Sequence, residues 1–413
     1  MNGLYMIVNS VADDPFAIDV AHYFGQAAEI ADLISLKRFA NSELCPRFIS
    51  DENDLANIGR RLQGRTVVIV STCCGNHTRN ALAMRTCLVA RAAKDNGAAR
   101  VLLVEPDLFY SAQDRGPAAN QGRVDFARTP QDCKKFDGQP WSARLYAELL
   151  HTSGVDGVVT VHNHSVSVQR LFAEVFGGQF YNLSPAELYA NYLITDRIDG
   201  IIGKAQGAVL CAPDAGARSF VLNVQTELER ACSDLLLSPQ VDILTMCKER
   251  SGERRVEVRA APESPLDLPG VSGREVIVFD DMVRTGNTIV ECCRALKNAG
   301  ARRVVFVVTH FYSSDEVKEN LNTPVIDEIV TSNTLPTILN RDSQGRLRKK
   351  MLVLKIERWI ADFLRQLCGL RGLSQGGPLY TIDMSAKNPR SSDIRASLPQ
   401  ARTQTKRESG SEQ

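Results

Sequence analysis

The sequence predicts an α/β fold built from two tandem, doubly wound parallel-sheet domains. Short, continuously apolar runs alternate along the chain with amphipathic stretches of helical length. Strands that are apolar throughout are typical of parallel sheets covered by helices on both faces. A fresh strand–helix series begins after about residue 155, and the 413-residue chain is long enough for two or three domains.

The apolar runs predict six strands, at 66–71, 100–105, 157–161, 208–212, 275–279 and 303–309. Helical patterns lie between them at 80–96, 142–151 and 288–299. The last helix is followed by Gly300, a residue type that often ends helices.

The pattern divides the chain into three predicted parts. We expect a first domain at 1–155, a second domain at 156–373 and a disordered tail at 374–413. The tail is rich in Ser, Gln, Arg, Lys and Pro, so it cannot bury enough apolar surface to offset its ordering. Within the first domain, 116–140 is rich in Gly and Pro, which predicts a mobile surface excursion or a functional loop.

Charge and composition exclude several classes of protein. The 49 Lys and Arg residues nearly balance 48 Asp and Glu residues, which argues against a nucleic-acid or membrane-surface protein. We find no apolar run of membrane-spanning length and no secretion signal. The 11 cysteines show no zinc or disulfide spacing, so we expect reduced thiols in a soluble, cytoplasmic protein.

Two adjacent acids mark the most informative segment, 275–312. Asp280 and Asp281 follow the apolar run of a predicted buried strand. Ligands of open α/β sheets bind beyond the carboxyl ends of strands. Vicinal ribose hydroxyls or a magnesium ion would suit this pair of carboxylates. The alternative is that the acids only end the strand and cap a turn.

A tight loop after the acids leads into a helix that opens near Thr288. Thr285, Gly286, Asn287 and Thr288 offer hydroxyls and unobstructed backbone N–H groups at the helix N-terminus. Such a terminus binds phosphate through hydrogen bonds and the helix dipole.

The segment 279–288, FDDMVRTGNT, resembles the phosphoribosyl-pyrophosphate loop of type I phosphoribosyltransferases. From about residue 37 to 363, the chain resembles the ribose-phosphate pyrophosphokinase branch of that superfamily. The resemblance implies two tandem phosphoribosyltransferase-like domains. It also implies a magnesium-dependent transfer of the diphosphoryl group of ATP to ribose 5-phosphate. The residues implied to bind the sugar phosphate are Asp280, Asp281, Arg284, Thr285, Gly286, Asn287 and Thr288.

Two segments resemble the ATP-binding parts of that family. FANSE at 39–43 is similar to a FANGE segment that contacts adenine, often in a neighbouring subunit, and implies roles for Phe39, Asn41 and Glu43. YSAQDR at 110–115 resembles YARQDR, so Gln113 and Asp114 are expected near ATP. The resemblance therefore implies a homo-oligomer with its ATP site at a subunit interface.

The remaining candidates stand at other predicted strand ends. His164 matches the family's histidine near metal and phosphates, and Asp214 in PDAG is a candidate metal ligand. His162 and His164, at i and i+2 on a predicted strand, are expected to point to the same face, where both could meet one metal or phosphate; alternatively they are a buried, hydrogen-bonded pair. Lys248 and Arg250 resemble the KxR of the family's flexible catalytic loop.

Three positions depart from the family pattern: Ala112 replaces arginine, His162 replaces aspartate, and Arg284 replaces aspartate. The leading interpretation is a ribose-phosphate diphosphokinase. A second is a non-catalytic or regulatory homologue, for which 116–140 would be a partner or effector surface. A third is an enzyme with a changed donor or acceptor, or a true phosphoribosyltransferase.

Overall fold

Alternating strands and helices form the framework of the chain. The computed structural model describes residues 4–74, 77–122, 127–195, 207–234, 241–250, 256–340, 342–373 and 377–383, without the side chains of 195, 234, 248–250 and 256–257. The strands are β1 (Tyr5–Asn9), β2 (Ile34–Arg38), β3 (Leu44–Phe48), β4 (Thr66–Val70), β5 (Arg100–Val104), β6 (Gly157–Val161), β7 (Phe180–Leu183), β8 (Ala208–Ala212), β9 (Val241–Arg250), β10 (Val256–Ala260), β11 (Glu275–Val283), β12 (Arg303–Phe311), β13 (Glu328–Ser332), β14 (Met351–Lys355) and β15 (Thr381–Ile382). The helices are α1 (Pro15–Phe24), α2 (Arg79–Asp95), α3 (Pro130–Lys134), α4 (Ser142–Ser153), α5 (Val166–Val175), α6 (Ala186–Thr195), α7 (Arg218–Asp234), α8 (Asn287–Asn298), α9 (Asp315–Leu321) and α10 (Glu357–Leu367).

Two mostly parallel sheets confirm the predicted α/β class. The first sheet has the order β1-β4-β5-β6-β7, and all of its pairs are parallel. The second has the order β10-β9-β8-β11-β12-β13-β14-β15, with antiparallel pairs only at its two edges. All six predicted strands and all three predicted helices are present, within a few residues at their ends.

The change from one sheet to the next occurs later than the boundary that we expected near residue 155. Strands β6 and β7 pair with β5 in the first sheet, and the second sheet begins with β8. The new strand–helix series after 155 extends the first sheet, because a parallel strand can join its neighbours from far along the chain. We therefore propose a domain boundary between Leu183 and Ala208.

A small antiparallel hairpin, β2–β3, lies outside both sheets. At its tip, the backbone N–H of Phe39 donates to the carbonyl of Glu43 over 2.9 Å, and Ser42 adopts a left-handed φ of 73°. The tip presents the phenyl ring of Phe39, which is 47% exposed.

Helix α10 returns to the first half of the chain and packs on α1. Lys355 Nζ, just before α10, lies 2.6 Å from an oxygen of Asp19, and Arg365 donates to the carbonyl of Phe24 over 2.8 Å. The last helix thus covers an apolar face of the first domain.

The described part of the 116–140 segment is held by hydrogen bonds and an ion pair within the segment itself. Arg128, with a side chain only 2% exposed, donates to Asp132 over 2.8 Å and to the carbonyls of Ala118 and Gln121. A buried arginine with three acceptors holds this excursion in one conformation.

The prediction of a disordered tail from residue 374 is wrong at 377–383. There Leu379 and Tyr380 are buried, and β15 pairs with β14. Two large apolar side chains suffice to attach this short stretch to the sheet; residues 384–413 lie outside the described residues.

Two further expectations concern thiols and membranes. All 11 cysteines are free thiols, as expected. Along the described stretches, no helix has both the length and the hydropathy required to cross a bilayer.

Candidate active site

The acids of the central motif lie within a strand rather than after it. Strand β11 continues to Val283, but its pairing with β8 stops at Val278, opposite Cys211. Asp280 and Asp281 therefore project at the carboxyl edge of the second sheet, where one neighbouring strand has already ended. This is the edge at which ligands of open α/β sheets bind.

Gly286 makes the turn between β11 and α8. Its φ is 83°, and a Cβ at this position would approach Leu321 Cδ2 to 3.0 Å, so a side chain would be strained in both respects. Gly286 also occupies the cap position of α8, where it brings no side chain to the first N–H groups. Asn320 fixes the loop by donating to the carbonyl of Thr285 over 2.8 Å.

The structure brings the predicted sugar-phosphate residues and two of the predicted metal and catalytic residues into one cleft of about 320 Å³. Its lining includes His164, Asp214, Asp280, Asp281, Arg284, Thr285, Gly286 and Thr288. An adjoining cleft of about 530 Å³ shares four of these residues and adds His162, Gly216 and Phe220 to the wall. Asn287 opens α8 beside the first cleft and is exposed.

Burial and mutual repulsion disfavour the charged form of Asp280 in this cleft. Burial, followed by the charges of Asp281 and Asp214, raises the pKa of Asp280 to about 9. Asp281 Oδ2 is buried and accepts no hydrogen bond from any described residue. His164 Nδ1 lies 3.2 Å from that oxygen, and the two groups form an ion pair only when the imidazole is protonated. A buried carboxylate oxygen without a donor is costly unless a cation or a donor arrives with the ligand.

The exposed carboxylate of Asp214, with His164 in the same cleft, would fit a magnesium ion that shares its ligands with a substrate. Magnesium is usually held by one or two carboxylates plus substrate phosphates and waters, rather than by a complete protein cage. Among the described residues, no group of three or more His, Cys, Asp or Glu side chains is placed to hold a metal by itself.

Asp214 has a structural task besides the predicted one. Its Oδ1 accepts from the backbone N–H of Gly216 over 2.8 Å and of Ala217 over 3.2 Å, which fixes the turn into α7. The carboxylate is exposed towards the cleft. The turn therefore orients Asp214 and leaves its second carboxylate oxygen accessible to a ligand.

The two histidines do not form the strand pair that we expected. Strand β6 ends at Val161, and His162 then takes a left-handed φ of 48°, so strand alternation no longer applies. His162 Nδ1 lies 2.7 Å from Thr309 Oγ1, and its ring packs 4.0 Å from that of Phe220. Burial and the nearby His310 lower its pKa to about 3. His162 is thus a neutral, hydrogen-bonded residue of the wall, and His164 alone meets the acids.

The predicted ATP-binding residues lie outside the clefts described above. Phe39, Asn41 and Glu43 occupy the exposed hairpin tip, where Asn41 Oδ1 accepts from the N–H of Glu43 over 3.2 Å. Asp114 accepts from Ser165 over 2.7 Å, and Gln113 accepts from the hydroxyl of Ser142. Within one chain, Gln113 and Asp114 thus brace α4 and α5.

Lys248 and Arg250 lie in β9, which pairs with β10. The predicted catalytic roles belong to side chains that lie outside the described part of the structure. The backbone of both residues lies beside β10, the edge strand of the second sheet.

One polar cluster, formed by Arg79, Asp107 and Tyr312, was not predicted from the sequence. Asp107 follows β5, and its carboxylate accepts from the hydroxyl of Tyr312, which follows β12. Arg79 forms an ion pair with Asp107. The strand-end rule that drew attention to Asp280 applies equally to Asp107, and would have found it.

Comparison with known proteins identifies the relatives of this chain. A profile of the N-terminal domain of ribose phosphate pyrophosphokinase matches residues 6–123, and a profile of the phosphoribosyl synthetase-associated domain matches residues 239–375. The chain belongs to the ribose-phosphate pyrophosphokinase family. The resemblance on which the site residues were chosen is thereby confirmed.

Several ribose-phosphate pyrophosphokinases are similar over most of their length. The Haemophilus ducreyi protein is 26% identical over 362 residues, covering 86% of this chain and 98% of the relative. Ribose-phosphate pyrophosphokinase 2 of Saccharomyces cerevisiae is 26% identical over 299 residues, covering 71% and 78%. The crystal structure of phosphoribosylpyrophosphate synthetase from Mycobacterium smegmatis superimposes with a TM-score of 0.62 at 23% identity, over 89% of this chain and 99% of that one, which shows the same fold.

Proposed function

We propose that this protein is a ribose-phosphate diphosphokinase, which transfers the diphosphoryl group of ATP to ribose 5-phosphate and releases AMP. The observation that carries the proposal is the cleft that combines two adjacent, mutually repelling acids with an open helix N-terminus. The acids suit the sugar hydroxyls, and the loop suits the 5-phosphate.

The reaction would be an in-line displacement. The 1-hydroxyl of ribose 5-phosphate attacks the β-phosphorus of ATP, a new O–P bond forms, and the bond from the β-phosphorus to the oxygen of AMP breaks. The hydroxyl proton is released to solvent, and AMP leaves as the phosphate anion. Catalysis of this kind depends on positioning and on neutralising charge, rather than on covalent chemistry by the protein. Lys248 and Arg250 would neutralise charge on the transferred group.

The residues of the cleft have distinct proposed tasks. Asp280 and Asp281 bind and orient the ribose, while Thr285, Gly286, Asn287 and Thr288 bind its phosphate, with Arg284 at the rim. His164 and Asp214 are the proposed protein ligands of magnesium, together with phosphate oxygens. A bound magnesium ion supplies charge neutralisation on the diphosphoryl oxygens.

The ATP site is proposed to be completed by a second copy of the chain. The exposed ring of Phe39, carried on a hairpin outside both sheets, is not part of the cleft lining and is available to another protomer. We accordingly propose a cytoplasmic homo-oligomer in which Phe39, Asn41 and Glu43 meet adenine across an interface. Gln113 and Asp114 would approach the same nucleotide from the first sheet.

The deciding experiment is an assay of the purified full chain with ATP, magnesium and ribose 5-phosphate, in which AMP and phosphoribosyl pyrophosphate are separated by chromatography. We expect equimolar formation of the two products. A folded oligomer that forms no AMP would contradict the proposal.

The second candidate is a non-catalytic regulatory homologue, favoured by the three departures from the family pattern at Ala112, His162 and Arg284. It predicts nucleotide or sugar-phosphate binding in calorimetry without AMP formation. A relative with a changed acceptor would instead form AMP with another sugar phosphate, which the same assay detects.

A further inference from the structure

A hydrogen bond joins the edges of the two sheets beside the proposed sugar-phosphate loop. The hydroxyl of Tyr312 donates to the carboxylate of Asp107, with distances of 2.9 and 3.1 Å to its two oxygens. Asp107 follows β5 of the first sheet, whereas Tyr312 follows β12 of the second. Because these two residues are 205 positions apart in the chain, the bond links the two sheets directly.

Arg79 supports this bond from the side of the first sheet. It opens α2, pairs with Asp107, and places its guanidinium 5.1 Å from the ring centroid of Phe109 and 5.4 Å from that of Tyr312. The Asp107 side chain is only 6% exposed. A buried carboxylate with a charged partner and a hydroxyl donor has a fixed orientation, since either loss would leave it incompletely paired. Arg79, Asp107 and Tyr312 are called the clasp below.

The clasp touches the segments to which the proposed function assigns both substrates. The backbone N–H of Tyr312 donates to the carbonyl of Val283 over 3.3 Å, directly before Arg284 and the phosphate loop. On the other side, Asp107 begins the segment that leads to Gln113 and Asp114. The hydroxyl of Tyr312 remains a donor, because burial and the Asp107 charge raise the pKa of Tyr312.

Other contacts hold the two sheets together independently of the clasp. His310 Nε2 lies 3.0 Å from the carbonyl oxygen of Val161, and His162 bonds to Thr309. Tyr189 also approaches Thr309, with 3.0 Å between their hydroxyl oxygens. Loss of the clasp should therefore leave the halves docked and free only the edge beside the loop.

We propose that Asp107 and Tyr312 are positioning residues that set the sugar-phosphate loop against the nucleotide-binding segment of the first sheet, with Arg79 fixing the carboxylate. The inference rests on the proposed function for its catalytic consequence. Its structural consequence, an ordered loop at 283–286, stands without it. A small misalignment of two reacting groups lowers the rate far more than it weakens binding of either.

The test compares Tyr312→Phe with Tyr189→Phe. The second variant removes a hydroxyl that contacts Thr309 of β12 but does not belong to the clasp. In the assay of AMP formation, we expect Tyr312→Phe to lower kcat roughly tenfold with both KM values within about twofold, and Tyr189→Phe to change kcat less than about twofold. Asp107→Asn retains an acceptor for Tyr312 but loses the charge that holds Arg79, so we expect an intermediate kcat. The double variant Asp107→Asn/Tyr312→Phe should be no worse than Tyr312→Phe alone.

Hydrogen exchange of the substrate-free proteins provides a readout that does not depend on activity. We expect faster exchange at 282–288 in Tyr312→Phe than in Tyr189→Phe, with equal melting temperatures. If wild type forms AMP and Tyr312→Phe keeps its kcat, the positioning role is wrong while the proposed function stands. If wild type forms no AMP, the proposed function fails, and unchanged loop exchange in Tyr312→Phe would then overturn the clasp as well.

Discussion

Nδ1 of His164 lies 3.2 Å from Oδ2 of Asp281, and this contact joins the two sheets. His164 comes from the carboxyl end of β6 in the first sheet, and Asp281 comes from β11 in the second. The candidate active site is therefore assembled only when both halves of the chain are folded and docked. Substitutions of its charged side chains test the proposed site directly.

Replacing Asp280 by Asn should stabilise the substrate-free protein while abolishing its activity. Burial and the neighbouring acids disfavour the charged form of Asp280, so an amide removes both penalties. We expect a gain on the order of 1 kcal/mol in the free energy of unfolding at pH 8, measured by urea denaturation. Asp95→Asn, in the exposed Arg91–Asp95 pair, is the control and should change stability little. A destabilised Asp280→Asn protein would show that the acids are already compensated.

Glu105 should make stability decrease as pH rises. Burial raises the pKa of this side chain from 4.5 to about 8, while Tyr146 and the N–H of Phe109 bond to its two oxygens. The folded state then binds the proton more tightly than the unfolded state, so the contribution is complete below 4.5 and is lost as pH rises towards 8.

The measurement compares urea unfolding of wild type and Glu105→Gln at several pH values between 5 and 8. Other titrating groups cancel in the difference, and the amide can still serve both neighbours. We expect the variant to gain stability relative to wild type as pH increases. Parallel curves would mean that Glu105 titrates normally.

Arg284 tests whether the altered loop still binds a sugar phosphate. If its guanidinium contacts phosphate, Arg284→Asp should raise the KM for ribose 5-phosphate by about tenfold or more, because a charge-assisted contact becomes repulsive. Arg284→Lys retains the charge without the planar fork and should lie between the two. Tighter binding of ribose 5-phosphate by Arg284→Asp would instead identify Arg284 as an impediment, and the native acceptor as another molecule.

The proposed shared ATP site predicts complementation between two impaired variants. Lys248→Ala should lower turnover roughly tenfold or more with a modest change in KM, since the lost charge acts in the transition state. Phe39→Ala should weaken ATP binding without affecting the fold, because the ring is 47% exposed. When subunits of the two variants are exchanged, sites that pair an intact Phe39 with an intact Lys248 should regain activity. Unchanged activity in verified mixed oligomers would place both residues in the same protomer's site.

The sequence predicted those features that depend on neighbouring residues. The strands around Val68, Leu102 and Ile277 were found because a doubly covered strand must be apolar throughout. The loop around Gly286 was found because a turn and a helix start leave a local signature. The prediction for His162 failed because the backbone turns to a positive φ just after β6, which the strand pattern does not contain.

Features that depend on remote pairing could not be predicted in this way. The assignment of β6 and β7 to the first sheet and the bond between Asp107 and Tyr312 both depend on segments far apart in the chain. From a single sequence, each strand or polar residue can be recognised by itself, but not the distant segment with which it pairs. The strand-end position of Asp107 was visible, but its role depended on where β12 ended.

The packing of α10 on α1 also constrains how the protein is made. Helix α1 buries Phe16, Val20 and Phe24, and α10 buries Trp359, Ile360 and Leu364. Since synthesis proceeds from the N-terminus, an apolar face of the first domain remains uncovered on the ribosome until residues 357–367 have emerged. The first domain therefore cannot complete its native surface before most of the second sheet has been synthesised, and the nascent chain has a prolonged need for protection from aggregation.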